Sequence, residues 1–183
     1  MLKAAITAAA AFAATNVDDL FVLMLLFGQA AHGAERRKIV AGQYVGVALL
    51  TAVSLVGALG LGRVPEGYLR LLGLIPLALG IRAWMDRDGG EEAKTGALSV
   101  AAVAALTVAN GGDNIGVYLP LFTQMDGEQQ GITLLVFALL CGLWCFVGSR
   151  LAALPAMAQI ISRHKGWLVP LVLVLLGVMI LLG

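Results

Sequence analysis

Long apolar stretches separated by short polar ones run through most of the chain. Six of these stretches are close to, or longer than, the roughly 20 residues that a helix needs to cross a bilayer. The predicted helices cover 2–31, 39–61, 67–85, 96–125, 131–154 and 166–182, with a polar linker at 86–95. The pattern therefore predicts an all-α membrane protein with six transmembrane helices.

Composition agrees with this prediction. Of the 183 residues, 60% are hydrophobic and 13% are charged, and mean hydropathy is +0.93. Soluble domains contain about 45–50% apolar and about 25% charged residues. The formal net charge of +1 gives no electrostatic reason to expect a nucleic-acid partner. The first stretch has the alanine-rich start of a secretion signal, but its apolar run continues to Ala31, so we interpret it as a retained helix.

The first and fourth predicted helices carry the same polar motif, Asn-x-x-Asp, in the middle of an apolar run. Asn16 and Asp19 form the first copy, and Asn110 and Asp113 form the second, 94 positions later. This spacing places the amide and the carboxylate on one face of a continuous helix. An acidic group at such depth is costly and by default marks a functional site. We therefore predict that these four residues form the functional centre.

Other polar residues are candidates for the same centre. Asn114 shares the predicted helix face of Asn110 and Asp113. Asp18 lies about 100° around the helix from Asp19, which leaves a proton relay, a water-filled vestibule and a structural role open.

Two predicted helices carry further polar or reactive side chains. Gln43, Tyr44 and Thr51 on the second could line a path or form hydrogen bonds between helices. Cys141 and Cys145 are spaced for one face of the fifth helix, and thiolates would suit a soft metal ion. Packing as two small hydrophobic residues is the simpler interpretation of the cysteines.

The two motifs divide the chain into two three-helix repeats, 1–85 and 96–183, joined by the linker at 86–95. An odd number of spans in each repeat forces the copies into opposite orientations, the inverted-repeat plan common in secondary transporters. Both motif-bearing helices are longer than a bilayer requires, so they must tilt, protrude or break. Gly111 and Gly112 favour a break in the fourth helix. The first helix has no glycine at the matching place, which predicts a break on one side only. Gly42 and Gly46 predict a close-packing face on the second helix.

Basic residues are unevenly distributed between the two predicted sides of the membrane. Nine lie in or beside loops 1–2, 3–4 and 5–6: Arg36, Arg37, Lys38, Arg82, Arg87, Lys94, Arg150, Arg163 and Lys165. Three lie on the other side: Lys3, Arg63 and Arg70. Because cytoplasmic loops carry an excess of lysine and arginine, these three loops are predicted to be cytoplasmic and both termini to lie outside.

The predicted centre contains carboxylates but no lysine or arginine at comparable depth. Carboxylate and amide oxygens without a basic partner suit a divalent cation, for which Asn16, Asp19, Asn110, Asp113 and Asn114 would give an oxygen-rich cage. Carboxylates brought together in a low-dielectric site hold protons more tightly, whereas a bound divalent cation favours their ionised form. Metal and protons would then compete for the same oxygens. The sequence thus predicts cation export in exchange for protons by alternating access.

Other functional classes fit the residues less well. Efflux of a cationic amino acid or another small organic solute is the main alternative, although a substrate carboxylate would need a basic group in the core. An intramembrane aspartyl protease is disfavoured, because known families use Gly-x-Gly-Asp and Asn110 replaces the first glycine. We expect a transporter rather than an enzyme, with no cofactor. Its expected partners are a divalent ion, protons and the lipid bilayer, and a homo-oligomer is left open.

Two stretches resemble the signature sequences of the cadmium-resistance transporter family, within the lysine exporter superfamily. They are TNVDD at 15–19 and ANGGDNIGVYLPLF at 109–122. The resemblance implies a six-helix exporter of divalent heavy metals in the bacterial inner membrane. It also implies that Asn16, Asp19, Asn110 and Asp113 bind the metal. The family is named for cadmium, whereas oxygen ligands suit harder ions such as manganese, so the physiological ion is left open.

Overall fold

The computed structural model describes residues 1–61, 74–85 and 99–157, together with six helical positions after residue 170. Every regular element within these residues is a helix. The helices are α1 (Leu2–Thr15), α2 (Val17–Gln29), α3 (Gly33–Val56), α4 (Leu74–Met85), α5 (Val100–Asn110), α6 (Gly112–Thr123) and α7 (Gly127–Ala152). A π-helical turn, Gly57–Leu61, extends α3. The predicted linker, the start of the third predicted helix and most of the sixth lie outside the described residues.

Two helices are each long and apolar enough to cross a membrane. They are α3 with its extension, Gly33–Gly60, at 28 residues, and α7 at 26 residues. The pairs α1–α2 and α5–α6 pass the same test when each pair is taken as one bent span. The described part of the chain is therefore all-helical, with two to four candidate membrane spans. Six spans arranged as two inverted repeats stay a prediction.

Both helices that carry the Asn-x-x-Asp motif are broken at the motif itself. α1 and α2 meet at Asn16 with a bend of 60°, and α5 and α6 meet at Gly111 with a bend of 69°. The predicted break in the fourth helix is confirmed, and the expectation of an unbroken first helix is wrong. Asn16, rather than a glycine, stands at this break, where its Nδ2 donates to Phe12 O at 2.8 Å and its own backbone N–H donates to the same carbonyl at 3.1 Å.

The two breaks change which residues share a helix face. Asp18 and Asp19 lie in the first turn of α2, and Asp113 lies in the first turn of α6. Asn110 instead ends α5, so the predicted common face of Asn110, Asp113 and Asn114 is wrong for Asn110. Each carboxylate gains from its place in a first turn, because the N-terminus of a helix carries a partial positive charge.

α3 packs closely against α5 through Gly42 and Gly46. A Cβ atom on Gly42 would lie 2.5 Å from Val103 Cβ, and one on Gly46 would lie 2.5 Å from Thr107 Cβ. Only glycine permits such an approach, so the predicted close-packing face is confirmed. The contact brings Gln43, which follows Gly42, against α5.

α7 runs past the break at Asn16 and contributes to two apolar clusters. One cluster includes Leu23 of α2, Val103 of α5 and Cys145 of α7. The other includes Phe12 of α1, Tyr118 of α6 and, from α7, Phe137 and Cys141. Since α1 precedes the break at Asn16 and α2 follows it, the polar residues at the breaks lie between the two clusters.

Candidate cation site

Polar side chains at the breaks form two hydrogen-bonded groups, and the first joins α2 to α3 and α5. We call it the carboxylate cluster: Asp18, Asp19, Gln43, Thr107 and Asn110. Asn110 Nδ2 donates to Asp18 Oδ2 and to Asp19 Oδ1, at 2.8 Å in both cases. Gln43 Nε2 donates to the other oxygen, Asp19 Oδ2, at 2.9 Å. Asp19 is only 5% exposed, so two amides from other helices hold an almost fully buried carboxylate.

Asp19 and Thr107 together orient the Gln43 amide. An ionised carboxylate only accepts hydrogen bonds, so the amide nitrogen faces Asp19 and Gln43 Oε1 accepts from Thr107 Oγ1 at 2.7 Å. Gln43 thus forms a bond between helices, one of the two roles that the sequence left open. Thr107 was not predicted, because a threonine in an apolar helix gives no signal of its partner.

Amide donors and helix N-termini, rather than basic side chains, face these carboxylates in the described part of the chain. Asp18, Asp19 and Asp113 are also close enough to repel one another electrostatically. Neutral donors offset a carboxylate only in part, because they carry no net charge. The cluster therefore has an excess of negative charge that a bound cation would neutralise.

The second group, the hinge cluster, consists of Thr15, Asn16, Asn114 and Tyr118, where α1 meets α6. The Tyr118 hydroxyl lies 3.1 Å from Thr15 Oγ1, 2.8 Å from Asn16 Nδ2 and 3.3 Å from Asn114 Nδ2. Asn114 Nδ2 also lies 3.3 Å from Asn16 Oδ1. All four residues are buried. Asn16 and Asn114 therefore bind each other across the breaks and do not contact Asp19 through a hydrogen bond.

Asp113 lies in the first turn of α6, between Asn110 of the carboxylate cluster and Asn114 of the hinge cluster, and it is exposed. With its amide turned over, Asn114 donates to Asp113 Oδ1 at 3.1 Å and to Thr15 O at 3.0 Å. In either orientation Asn114 links α6 to the end of α1. Asp113 thus lies close enough to Asp18 and Asp19 to interact with them electrostatically. Among the residues that the structure describes, it shares no hydrogen-bond partner with them.

Aromatic side chains from α7 position the hinge cluster. Trp144 Nε1 donates to Asn16 O at 2.6 Å. The Phe137 ring centroid lies 4.4 Å from that of Tyr118 and 5.4 Å from that of Phe12. Buried tyrosine and tryptophan usually pair their polar atom in this way. Neither Trp144 nor Tyr118 was predicted in the site, because an aromatic residue in an apolar helix most often only packs.

Both clusters lie away from the ends of the long helices, although the Asp18 side chain is exposed. Gln43 is ten residues from the start of α3, and Trp144 is eight residues from the end of α7. At 1.5 Å per residue, these are about 15 Å and about 12 Å from the same end of the bundle.

Cys141 and Cys145 are buried, carry free thiols and belong to the two apolar clusters. Across the described ranges, no group of three or more histidine, cysteine, aspartate or glutamate side chains is arranged to hold a metal ion. The thiols are therefore not assembled with the acids, and Asp18, Asp19 and Asp113 do not form such a group by themselves. A cation at the carboxylate cluster would take its remaining ligands from amide oxygens or water, which are common ligands of divalent ions.

Apolar helices broken at paired polar motifs, with acidic side chains inside the bundle, are the organisation of a membrane transporter. The model of one protein family, described as cadmium resistance transporter, matches residues 12–183. This chain belongs to the cadmium resistance transporter family. No curated protein and no solved structure matches it.

Proposed function

We propose that this chain exports a divalent heavy-metal cation, cadmium or a related ion, across the bacterial inner membrane in exchange for protons. The observation that carries the proposal is that Asp18 and Asp19 share one donor, Asn110 Nδ2, which lies 2.8 Å from an oxygen of each. Membership of the cadmium resistance transporter family supports the class of ion.

The Asn110 nitrogen marks a place between two carboxylate oxygens where positive charge is stabilised. Oxygen ligands lie about 2.3–2.6 Å from a large divalent ion, so a contraction of a few tenths of an ångström would suffice there. The Asn110 side chain would have to withdraw from that place and turn over, so that its amide oxygen faces the ion from about 2.3–2.6 Å. Asp18, Asp19 and Asn110 would supply ligands from two helices, and Asp113 is a nearby further carboxylate.

Asn16 and Asp113 complete the proposed ligand set, but their surroundings differ. Asp113 is exposed, whereas Asn16 is fully buried and bonded within the hinge cluster. Binding through Asn16 would therefore require the hinge cluster to open. This requirement links ion binding to movement of the half-helices, which alternating access needs.

Protons are the proposed counter-ion because they compete with a divalent cation for carboxylate oxygens. In proteoliposomes, an imposed pH gradient is expected to drive Cd²⁺ against its own concentration gradient. If the rate of Cd²⁺ transport does not depend on the pH gradient, the proposed coupling to protons is wrong, whereas the proposed export of a cation is not affected.

Efflux of a cationic amino acid is the second candidate, because an ammonium group also suits a cluster of carboxylates. Isothermal titration of one purified preparation with Cd²⁺, Zn²⁺, Mn²⁺ and lysine separates the candidates. We expect the metal ions to bind and lysine not to bind. Saturable binding of lysine alone would favour the second candidate.

Asp19→Asn and Asp113→Asn test the location of the site. Each removes one negative charge with little change of shape, and each is expected to weaken Cd²⁺ binding at least about tenfold, a loss typical even of outer-shell changes at metal sites. Cadmium tolerance of cells should fall with it. Glu128→Gln is the control, because it removes the same charge from the exposed first turn of α7. Wild-type binding in both aspartate variants would place the site elsewhere.

A further inference from the structure

A groove of about 510 Å³ opens on the surface of the bundle between the end of α2, the start of α3 and the end of α7. Arg36, Arg37 and Ser149 supply polar side chains to its lining, while Val40 and Phe146 are among its apolar residues. It is separate from the carboxylate and hinge clusters, none of whose residues line it.

Polarity is graded along this groove. α3 and α7 run past each other in opposite directions, and Tyr44 donates to Ala138 O at 3.0 Å near the inner end. From that contact, Arg36 lies eight residues and about 12 Å back along α3, and Ser149 lies eleven residues and about 16 Å onward along α7. The polar groups thus stand at one end, and the lining extends inward from Arg36 to Tyr44 for about 12 Å, most of the thickness of one hydrocarbon leaflet, about 15 Å.

The outer end of the groove is positively charged. Arg36 and Arg37 are both exposed. The adjacent acid, Glu35, is turned to the helix start, where its Oε2 accepts from Ala31 N at 2.6 Å. The Arg36 guanidinium lies 5.5 Å from the centroid of the Phe27 ring, so its stem covers apolar surface while its charge stays accessible. This charge would repel a divalent cation, so the groove does not suit the transported ion.

We propose that this groove binds one anionic phospholipid. The phosphate is held by Arg36 and Arg37, and an acyl chain lies along Val40 and Phe146. The Ser149 hydroxyl donates to Phe146 O at 2.8 Å and lines the same end of the groove. Basic pockets between membrane helices on the cytoplasmic side bind anionic headgroups in this manner. A second copy of the chain is a poorer occupant, because a twofold contact would bring the arginines of both copies together.

Native mass spectrometry of the purified full chain tests the choice of ligand. Phosphatidylglycerol and phosphatidylcholine with identical acyl chains are titrated separately, and inorganic phosphate is the third probe. We expect one phosphatidylglycerol to bind at least about fivefold more tightly than phosphatidylcholine, because a basic residue near a membrane surface supplies an attraction of that size. Inorganic phosphate should not be retained. Equal binding of the two lipids, or phosphate bound as tightly as phosphatidylglycerol, would overturn the proposal.

Variants test the location. Arg36→Gln and Arg37→Gln are each expected to weaken phosphatidylglycerol binding about fivefold, whereas Lys38→Gln, exposed beside them but outside the groove, should change it twofold or less. Ala41→Phe fills the groove, and Ala48→Phe places the same ring on an exposed position of α3 outside it. Wild-type lipid binding in both arginine variants and in Ala41→Phe would overturn the proposal, as would a dimer that covers the groove.

Discussion

At Gln43, one side-chain amide determines how the buried carboxylate of Asp19 is held. Gln43→Leu removes the donor to Asp19 Oδ2 and the acceptor of Thr107 Oγ1. We expect the free energy of unfolding to fall by about 1 kcal/mol, the usual range for polar contacts between membrane helices. Cd²⁺ binding should weaken about tenfold because Asp19 loses its orientation. Thermal unfolding in detergent and isothermal titration measure the two effects.

Thr51, about two turns further along the same helix, provides the matched comparison. Within the described residues it carries the only buried side-chain polar atom without a hydrogen-bond partner, its Oγ1. Thr51→Val keeps the shape and removes an unsatisfied hydroxyl, so we expect stability to stay the same or to rise by about 1 kcal/mol. If Thr51→Val lowers stability as much as Gln43→Leu does, then the hydroxyl of Thr51 has a partner and the bonds of Gln43 are not specially important.

The Tyr118 hydroxyl holds together three side chains of the hinge cluster. Tyr118→Phe keeps the ring contact with Phe137 and removes one hydrogen bond each from Thr15, Asn16 and Asn114, which keep their other partners. We expect a loss of about 1–2 kcal/mol in stability, because up to three bonds of about 0.6 kcal/mol each are lost together.

Tyr44→Phe is the control for the hinge cluster, because the Tyr44 hydroxyl donates to a backbone oxygen, Ala138 O, on the exposed surface of α3 and joins no cluster of side chains. Its cost should be near 0.6 kcal/mol, the average for bonds between membrane helices. Chemical denaturation in detergent measures both variants. Equal losses would show that the hydroxyl of Tyr118 has no special role in the hinge.

At the scale of single elements, the contact of α3 with α5 requires glycine. Gly46→Ala would place a Cβ atom 2.5 Å from Thr107 Cβ, which is fixed close to its own backbone. The two helices would have to separate, and we expect a loss of about 1–3 kcal/mol, as for other overpacked positions. Gly116→Ala in α6 is the control, because no atom lies within 4 Å of its added Cβ.

Opposite signs are expected for these two substitutions. Alanine in the interior of a helix is favoured over glycine by about 1 kcal/mol, so Gly116→Ala should stabilise the protein or leave it unchanged. Thermal unfolding of the two variants in one detergent is the measurement. A stabilising Gly46→Ala would mean that α3 and α5 do not approach as closely as the structure has them.

The helices show which features of an element are predictable from its sequence. Gly111 indicates a break because glycine destabilises a helix. At Asn16 the break instead has tertiary partners: Tyr118 at the side-chain amide and Trp144 at the backbone carbonyl. α3 begins at Gly33 rather than at the predicted Ile39, because hydropathy reports the apolar core of a membrane span. The helix continues outward through Arg36 to a capping box between His32 and Glu35.

For the whole molecule, the sequence predicted the class of protein and the polar residues of the site. An Asn-x-x-Asp motif inside an apolar helix is unusual enough to mark Asp19 and Asn110 as members of one site, and their side chains are hydrogen-bonded at 2.8 Å in the structure. The division into two clusters was not predictable, because it arises from the bends at Asn16 and Gly111. Gln43 and Tyr118 join the clusters through contacts between helices far apart in the sequence, and the spacing of residues carries no sign of those contacts.

The distribution of basic residues predicts the orientation of the molecule in the membrane. The start of α3 carries Arg36, Arg37 and Lys38, and the end of α7 carries Arg150, so this end of the bundle should be cytoplasmic. The connection between α6 and α7, at the opposite end of α7, should then face outside.

Single cysteines introduced at exposed positions test this orientation, with the wild-type chain as control because its own two thiols are buried. A maleimide that cannot cross membranes should label Gln124→Cys, between α6 and α7, on intact cells, and Ala34→Cys, at the start of α3, only after the cells are opened. The reverse pattern would place the arginine groove in the outer leaflet and contradict the proposed direction of export. The basic residues can set this orientation because moving their charges across the bilayer is costly, so it should persist when the carboxylate cluster is altered by Asp19→Asn.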